Sequence, residues 1–304
     1  MSNQFYSNGK LLITGEYFVL NGATAFAIPL KVGQGMDAEL VDDGKDLIYW
    51  STSVKNQPWF TAIFSKADLS IVDTNNRKSS EFIQKLLRFV KDKSAALNAS
   101  QSVRISANVE FAMEWGFGSS ATLIANLAQW AKINPYELLF ATTNGSGYDV
   151  ACAMVGSPIL YKNHPKPEVV KVDFSPSFLN KIYFIYLGQK QNSAASVEKL
   201  GQKVKGRNVE ADRISAISKA IVKANSLREF EALINAHEQI VGTTLGLESV
   251  KQRLFPNFEG SVKSLGAWGG DFIMATHSGE ASYVYSYFNA KGLDVIFPYN
   301  DIAL

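Results

Sequence analysis

Four stretches of this sequence carry residue types that could do chemistry. The first is Gly116-Phe117-Gly118-Ser119-Ser120-Ala121, between an alternating stretch and an apolar helical pattern. Its glycines let backbone approach a ligand, and a helix start offers unpaired N–H groups with partial positive charge, which suits a phosphate. Two hydroxyls add neutral donors, or an oxygen for a phosphate-bound Mg²⁺. The same pattern also serves simply to cap a helix. The second stretch, Gly145-Ser146-Gly147-Tyr148-Asp149, sets a carboxylate directly after a turn. There it either caps the next helix or is held to orient or deprotonate a hydroxyl. The third, Gly266-Ala267-Trp268-Gly269-Gly270-Asp271, taken alone reads as a hairpin connection between two strands. The fourth is Gly9-Lys10 followed by Gly15-Glu16-Tyr17, with Lys10 either a surface charge or a partner for an anion. No G-x-x-x-x-G-K-[ST] occurs, and no G-x-G-x-x-G joins a strand to a helix.

The elements that must position these stretches are mixed. Short apolar or alternating runs over 11–14, 24–28, 32–41, 47–53 and 59–64 predict strands separated by Gly, Asn and Asp turns. A helix is expected from Ser79 or Ser80 to about Lys93, then a strand over 103–111 and a helix from Ser119 to about Lys132. Asn134-Pro135 predicts a capped helix to about Thr142, and Asp149–Met154 a short one. Strands follow at 158–161, 169–174 and 182–187, then two long helices over 209–224 and 227–243. Strands at 261–265, 272–276 and 294–297 and a helix over 281–290 complete the chain. Without regular βαβ alternation the class is α+β. A two-domain split at 1–170 and 171–304 is expected.

Composition narrows the function. In 304 residues, 46% are hydrophobic and the net charge is only +2, which excludes a disordered chain and argues against a nucleic-acid binder. The basic stretch Lys199–Arg207 reads as a solvated helix or loop. A single cysteine, Cys152, fits a reducing compartment, and three scattered histidines give no zinc spacing. No apolar run reaches the roughly 18 residues of a membrane span, and Glu16 breaks the apolar run near the N-terminus. A cytoplasmic protein without membrane attachment is expected.

Taken in order, the four stretches resemble the GHMP kinase superfamily over nearly the whole chain. Gly15-Glu16-Tyr17, GSGYDVA at 145–151 and Gly269-Gly270-Asp271 are most similar to the phosphomevalonate kinase and mevalonate kinase branch, including a group known by its GYDIA motif. The resemblance implies an N-terminal domain like ribosomal protein S5 domain 2 and a ferredoxin-like C-terminal domain, with ATP and a small acceptor held between them. It implies transfer of the γ-phosphoryl group of MgATP to mevalonate or phosphomevalonate. By the same resemblance Gly116, Gly118, Ser119, Ser120 and Ala121 would cradle the phosphates, with Ser120 also the Mg²⁺ ligand. Asp149 would orient or deprotonate the acceptor, and Lys10 would neutralise charge. Glu16, Tyr17, Ser146, Gly147, Ser193, Gly266, Trp268 and Gly269 would face the acceptor, with Trp268 replacing a small residue of the family and reshaping the pocket. Glu137 lies one position from where mevalonate kinases carry a Mg²⁺-binding glutamate. A galactokinase-like sugar kinase and a nucleotide-binding protein without catalysis are the alternatives, and a homodimer stays open.

Overall fold

The computed structural model describes residues 3–189, 193–268 and 270–304. They form two compact units, each assembled from separate pieces of chain. The first takes residues up to Gly9, 32–113 and 117–154; the second takes 10–31, 114–116 and 155–304. Strands β1 (Asn3–Thr14) and β2 (Ala25–Val41), which pair with each other, carry the chain from one unit to the other.

In the first unit β3 (Leu47–Val54), β4 (Gln57–Ser65) and β5 (Ile71–Thr74) are followed by α1 (Arg77–Lys93), β6 (Ser102–Val109), α2 (Ser119–Ala131), α3 (Pro135–Thr142) and α4 (Tyr148–Val155). The strand order is β5-β4-β3-β6-β2, antiparallel except for the parallel β3–β6 pair. Alternating inward residues of β3 and β6, among them Ile48, Trp50, Val103 and Ile105, join Leu86, Ile124 and Leu138 in one core. Helix α2 is apolar on nearly every side because it is buried on nearly every side. Its two internal polar groups are satisfied within the unit: Thr122 Oγ1 donates to Gln34 Oε1 at 2.6 Å, and Asn126 Nδ2 to the Gln34 carbonyl at 2.8 Å.

The second unit holds β7 (Ile159–Lys162), β8 (Glu168–Lys171), β9 (Ile182–Tyr186), α5 (Ser193–Val204), α6 (Asn208–Ile221), α7 (Leu227–Leu245) and α8 (Val250–Leu254). Then come β10 (Ser261–Ser264), β11 (Phe272–Thr276), α9 (Ala281–Asn289), β12 (Ile296–Pro298) and α10 (Tyr299–Ile302). Its sheet is antiparallel in the order β10-β11-β9-β12. Along the chain, helices lie between β9 and β10 and between β11 and β12, which is the ferredoxin-like β-α-β-β-α-β arrangement.

Several features depart from the sequence expectation, β5 and α10 among them. The strands expected at 24–28 and 32–41 are one strand, β2. Pro29 lies between the pairing of Ala25–Ala27 with β7 and that of Gln34–Val41 with β6, where its missing N–H removes no rung from either ladder. Helices α5 and α8, the first overlapping the basic 199–207 stretch, were not read from periodicity. Pairing of β7 with Ala25–Ala27 groups 155–170 and 10–31 in one compact unit.

Candidate functional site

In the first unit, Gly118 adopts the left-handed conformation (φ 94°, ψ 36°) and stands at the N-cap of α2 with no side chain capping the helix. A residue with a Cβ resists that backbone, so the glycine keeps the helix start open. Ser119 is half-buried and Ser120 exposed, whereas Ala121 points into the core at 2% exposure. Only the Ala121 backbone is thus free to meet a ligand. The unpaired N–H groups of the first turn and the Ser120 hydroxyl suit an anion carrying a hydrated cation. Among the described residues no cluster of three or more His, Cys, Asp or Glu is disposed to hold a metal by itself.

The second turn brings Asp149 into the first turn of α4, not to its N-cap. Its Oδ1 accepts from the Val150 N–H at 3.0 Å, and the Gly147 carbonyl accepts from Ala151 at 3.0 Å. A carboxylate is favoured there by the helix dipole. It also faces Tyr136, whose hydroxyl is pushed up to about 12, chiefly by burial and then by the Asp149 charge. Ser146 and Gly147 are buried beside it. Glu137 is an exposed first-turn acid of α3, following the Asn134 cap.

In the second unit, Lys10 Nζ donates to the Gly116 carbonyl at 2.9 Å. Gly116 in turn lies against Asp271: a Cβ on it would stand 2.8 Å from Asp271 Oδ2. Asp271 has a φ of 54°, rare outside glycine, and is held there by its N–H to the Gln189 carbonyl (2.7 Å) and its carbonyl from the Leu187 N–H (2.8 Å). Lys10, Gly116 and Asp271 therefore meet from three distant stretches. Asp271 was not chosen as a site residue from sequence, although its Gly-Gly-Asp context was the available signal.

Glu16 and Tyr17, expected to face an acceptor, are buried at 1% and 5% exposure. Burial comes with partners. Lys263, itself fully buried on β10, donates to Glu16 Oε1 and, at 2.7 Å, to the Ser264 carbonyl. Glu238 Oε2 accepts the Ser264 N–H at 2.8 Å, and His237 Nε2 accepts the Gly15 N–H at 2.9 Å. Burial raises the Glu16 carboxyl against the opposing pull of Lys263, and raises Glu238 to about 7. Burial, then the Lys263 charge, holds His237 well below 6.5, so the ring is neutral and its 3.2 Å approach to Glu16 Oε2 is no ion pair. Among the described residues Glu16 Oε2, His237 Nδ1 and Glu238 Oε1 have no hydrogen-bond partner. Nothing in the sequence pairs Lys263 with Glu16 across 247 positions.

Trp268, expected to wall the acceptor pocket, packs in a core with Tyr17, Ile214, Val241 and Leu245 at 7% exposure. Its N–H backbone group donates to the Tyr17 hydroxyl at 3.3 Å. The indole was displaced inward because Gly242 leaves room on α7: a Cβ there would come 3.3 Å from the ring. Gly266 is in the left-handed region with open space beside it. Ser193 is the first residue of α5, and Gly269 lies outside the described residues.

Solved structures match the fold over nearly the whole chain. The mevalonate kinase of Methanococcus jannaschii superposes with a TM-score of 0.69 at 16% identity, covering 98% of this chain and 96% of that one. The phosphomevalonate kinase of Streptococcus pneumoniae, solved with phosphomevalonate and AMPPNP, gives 0.69 at 14%, covering 98% and 99%. The chain has the GHMP kinase fold. A third structure, the Lin0012 protein of Listeria innocua, gives 0.72 at 17%, covering 98% and 97%. No family model and no curated protein sequence matches the chain. Among the described residues no helix is long and apolar enough to cross a membrane.

Proposed function

We propose that this protein is an ATP-dependent small-molecule kinase that phosphorylates mevalonate or phosphomevalonate. The observation that carries the reading is the end-to-end fold likeness to two kinases of these substrates. Retention of the glycine turns, Lys10 and Asp149 supports catalysis over nucleotide binding alone, and Gly15-Glu16-Tyr17 favours the phosphomevalonate side.

In this reading Gly118, Ser119 and Ser120 present N–H and hydroxyl groups to the nucleotide phosphates. Ser120 Oγ would be this chain's oxygen ligand for a Mg²⁺ carried on those phosphates, which when bound would supply charge neutralisation. Asp149, anchored by one oxygen to the Val150 N–H, turns its other oxygen to the acceptor, orienting it or taking a hydroxyl proton. Lys10, fixed by the Gly116 carbonyl, offsets negative charge on the transferring group. Little covalent chemistry is asked of the protein, since phosphoryl transfer depends mainly on positioning and charge.

The test is ADP release by the purified protein from MgATP with mevalonate, phosphomevalonate, galactose or homoserine. The proposal expects turnover with one of the first two. Turnover with galactose alone would make it a sugar kinase, and none with any acceptor would leave the reading without support.

A further inference from the structure

A buried lysine paired with a buried glutamate is an expensive way to fill a core, because the desolvation of both charges offsets most of their attraction. Apolar side chains of the same volume serve stability as well or better. What the pair does hold is backbone. Lys263 and Glu238 bind the carbonyl and the N–H of Ser264, two residues before the left-handed Gly266. Glu16, the partner of Lys263, sits next to Gly15, whose N–H is held by His237. Tyr17, the next residue, has a φ of 59° and accepts the Trp268 N–H through its hydroxyl. One network from β10, α7 and the turn after β1 thus fastens the Gly15–Tyr17 turn to the strand end that runs into the left-handed Gly266.

We propose that Lys263 is a positioning residue that fixes the strand end at Ser264–Gly266 and, through the Leu265 N–H held by the Phe272 carbonyl, the adjoining Asp271 that lies against Gly116, for phosphoryl transfer. Its link to transfer rests on the kinase reading above; the positioning of the strand end does not. Lys263 touches no substrate in this account and acts only through the backbone that it holds.

The test compares wild type with Lys263→Met and with the Glu16→Gln/Lys263→Met double variant, which removes both charges of the pair and guards against simple unfolding. Hydrogen exchange of 262–268 should quicken about tenfold or more in the folded double variant, since a charged donor to backbone is lost. Exchange over β9 should stay as in wild type. Affinity for AMPPNP should fall more than affinity for ADP, a split that general loosening would not produce. Unchanged exchange over 262–268, or quickening spread equally over β9, would overturn the positioning role. An unchanged AMPPNP-to-ADP ratio would overturn its link to transfer. If wild type bound neither nucleotide, the kinase reading would fail while the exchange result still decided the positioning of the strand end.

Discussion

The two units hold their glycine turns by different means. In the first, the turn at Gly118 is set by local backbone and by α2, a helix locked in an apolar core with a few neutral hydrogen bonds. In the second, the turns at Gly15 and Gly266 are set by a buried charge network whose members lie more than 200 residues apart. The first kind of support tolerates the loss of a surface hydroxyl. The second is sensitive to any change that leaves one charge unpaired.

The largest expected effect follows from that difference. Lys263→Ala leaves Glu16 buried without its cation and should cost about 3–5 kcal/mol in chemical denaturation. A loss under about 1 kcal/mol would show that the pair carries no structural weight. Trp268→Ala empties core space beside Gly242 and should cost about 3–5 kcal/mol as well. A stable variant with altered acceptor selectivity would instead restore the pocket role first expected of this indole.

The network should also write itself into the pH dependence of stability. Glu238 titrates near 7 in the folded chain against an ordinary 4.5, so the folded state holds the extra proton between those values. Its contribution to stability therefore falls as pH rises from about 4.5 to 7, by about 3 kcal/mol in all, with the full penalty above 7. Denaturation of wild type and Glu238→Gln at pH 5 and pH 8 should show a smaller loss in the variant, whose amide oxygen can still accept the Ser264 N–H. Equal losses would exclude Glu238 as the source.

The smallest change in stability belongs to the first unit. Ser120 is exposed and no side chain caps α2, so Ser120→Ala should shift stability by less than about 0.5 kcal/mol. Its MgATP and Mg²⁺ dependence should nevertheless weaken. Unchanged titrations would remove Ser120 from the phosphate site.

The same contrast explains what the sequence made legible. Gly118, the helix beginning at Ser119 and the acidic start of α4 are local features, written within a few residues, and all could be read directly. Burial of Glu16, the inward indole of Trp268 and the approach of Asp271 to Gly116 depend on distant segments meeting. The burial of Glu16 could not be read locally because its partner Lys263 lies on β10. That 24–28 and 32–41 form one strand through Pro29 depends on the two ladders set by β6 and β7.

Asp149 tests the central claim most directly. ADP formation from MgATP with phosphomevalonate and with mevalonate should be measured for wild type and Asp149→Asn side by side. Wild type should turn over, and kcat should fall about 10²–10⁴-fold in the variant with ATP affinity little changed. Near-normal kcat in a folded Asp149→Asn protein, or no turnover by wild type with either acceptor, would contradict that claim.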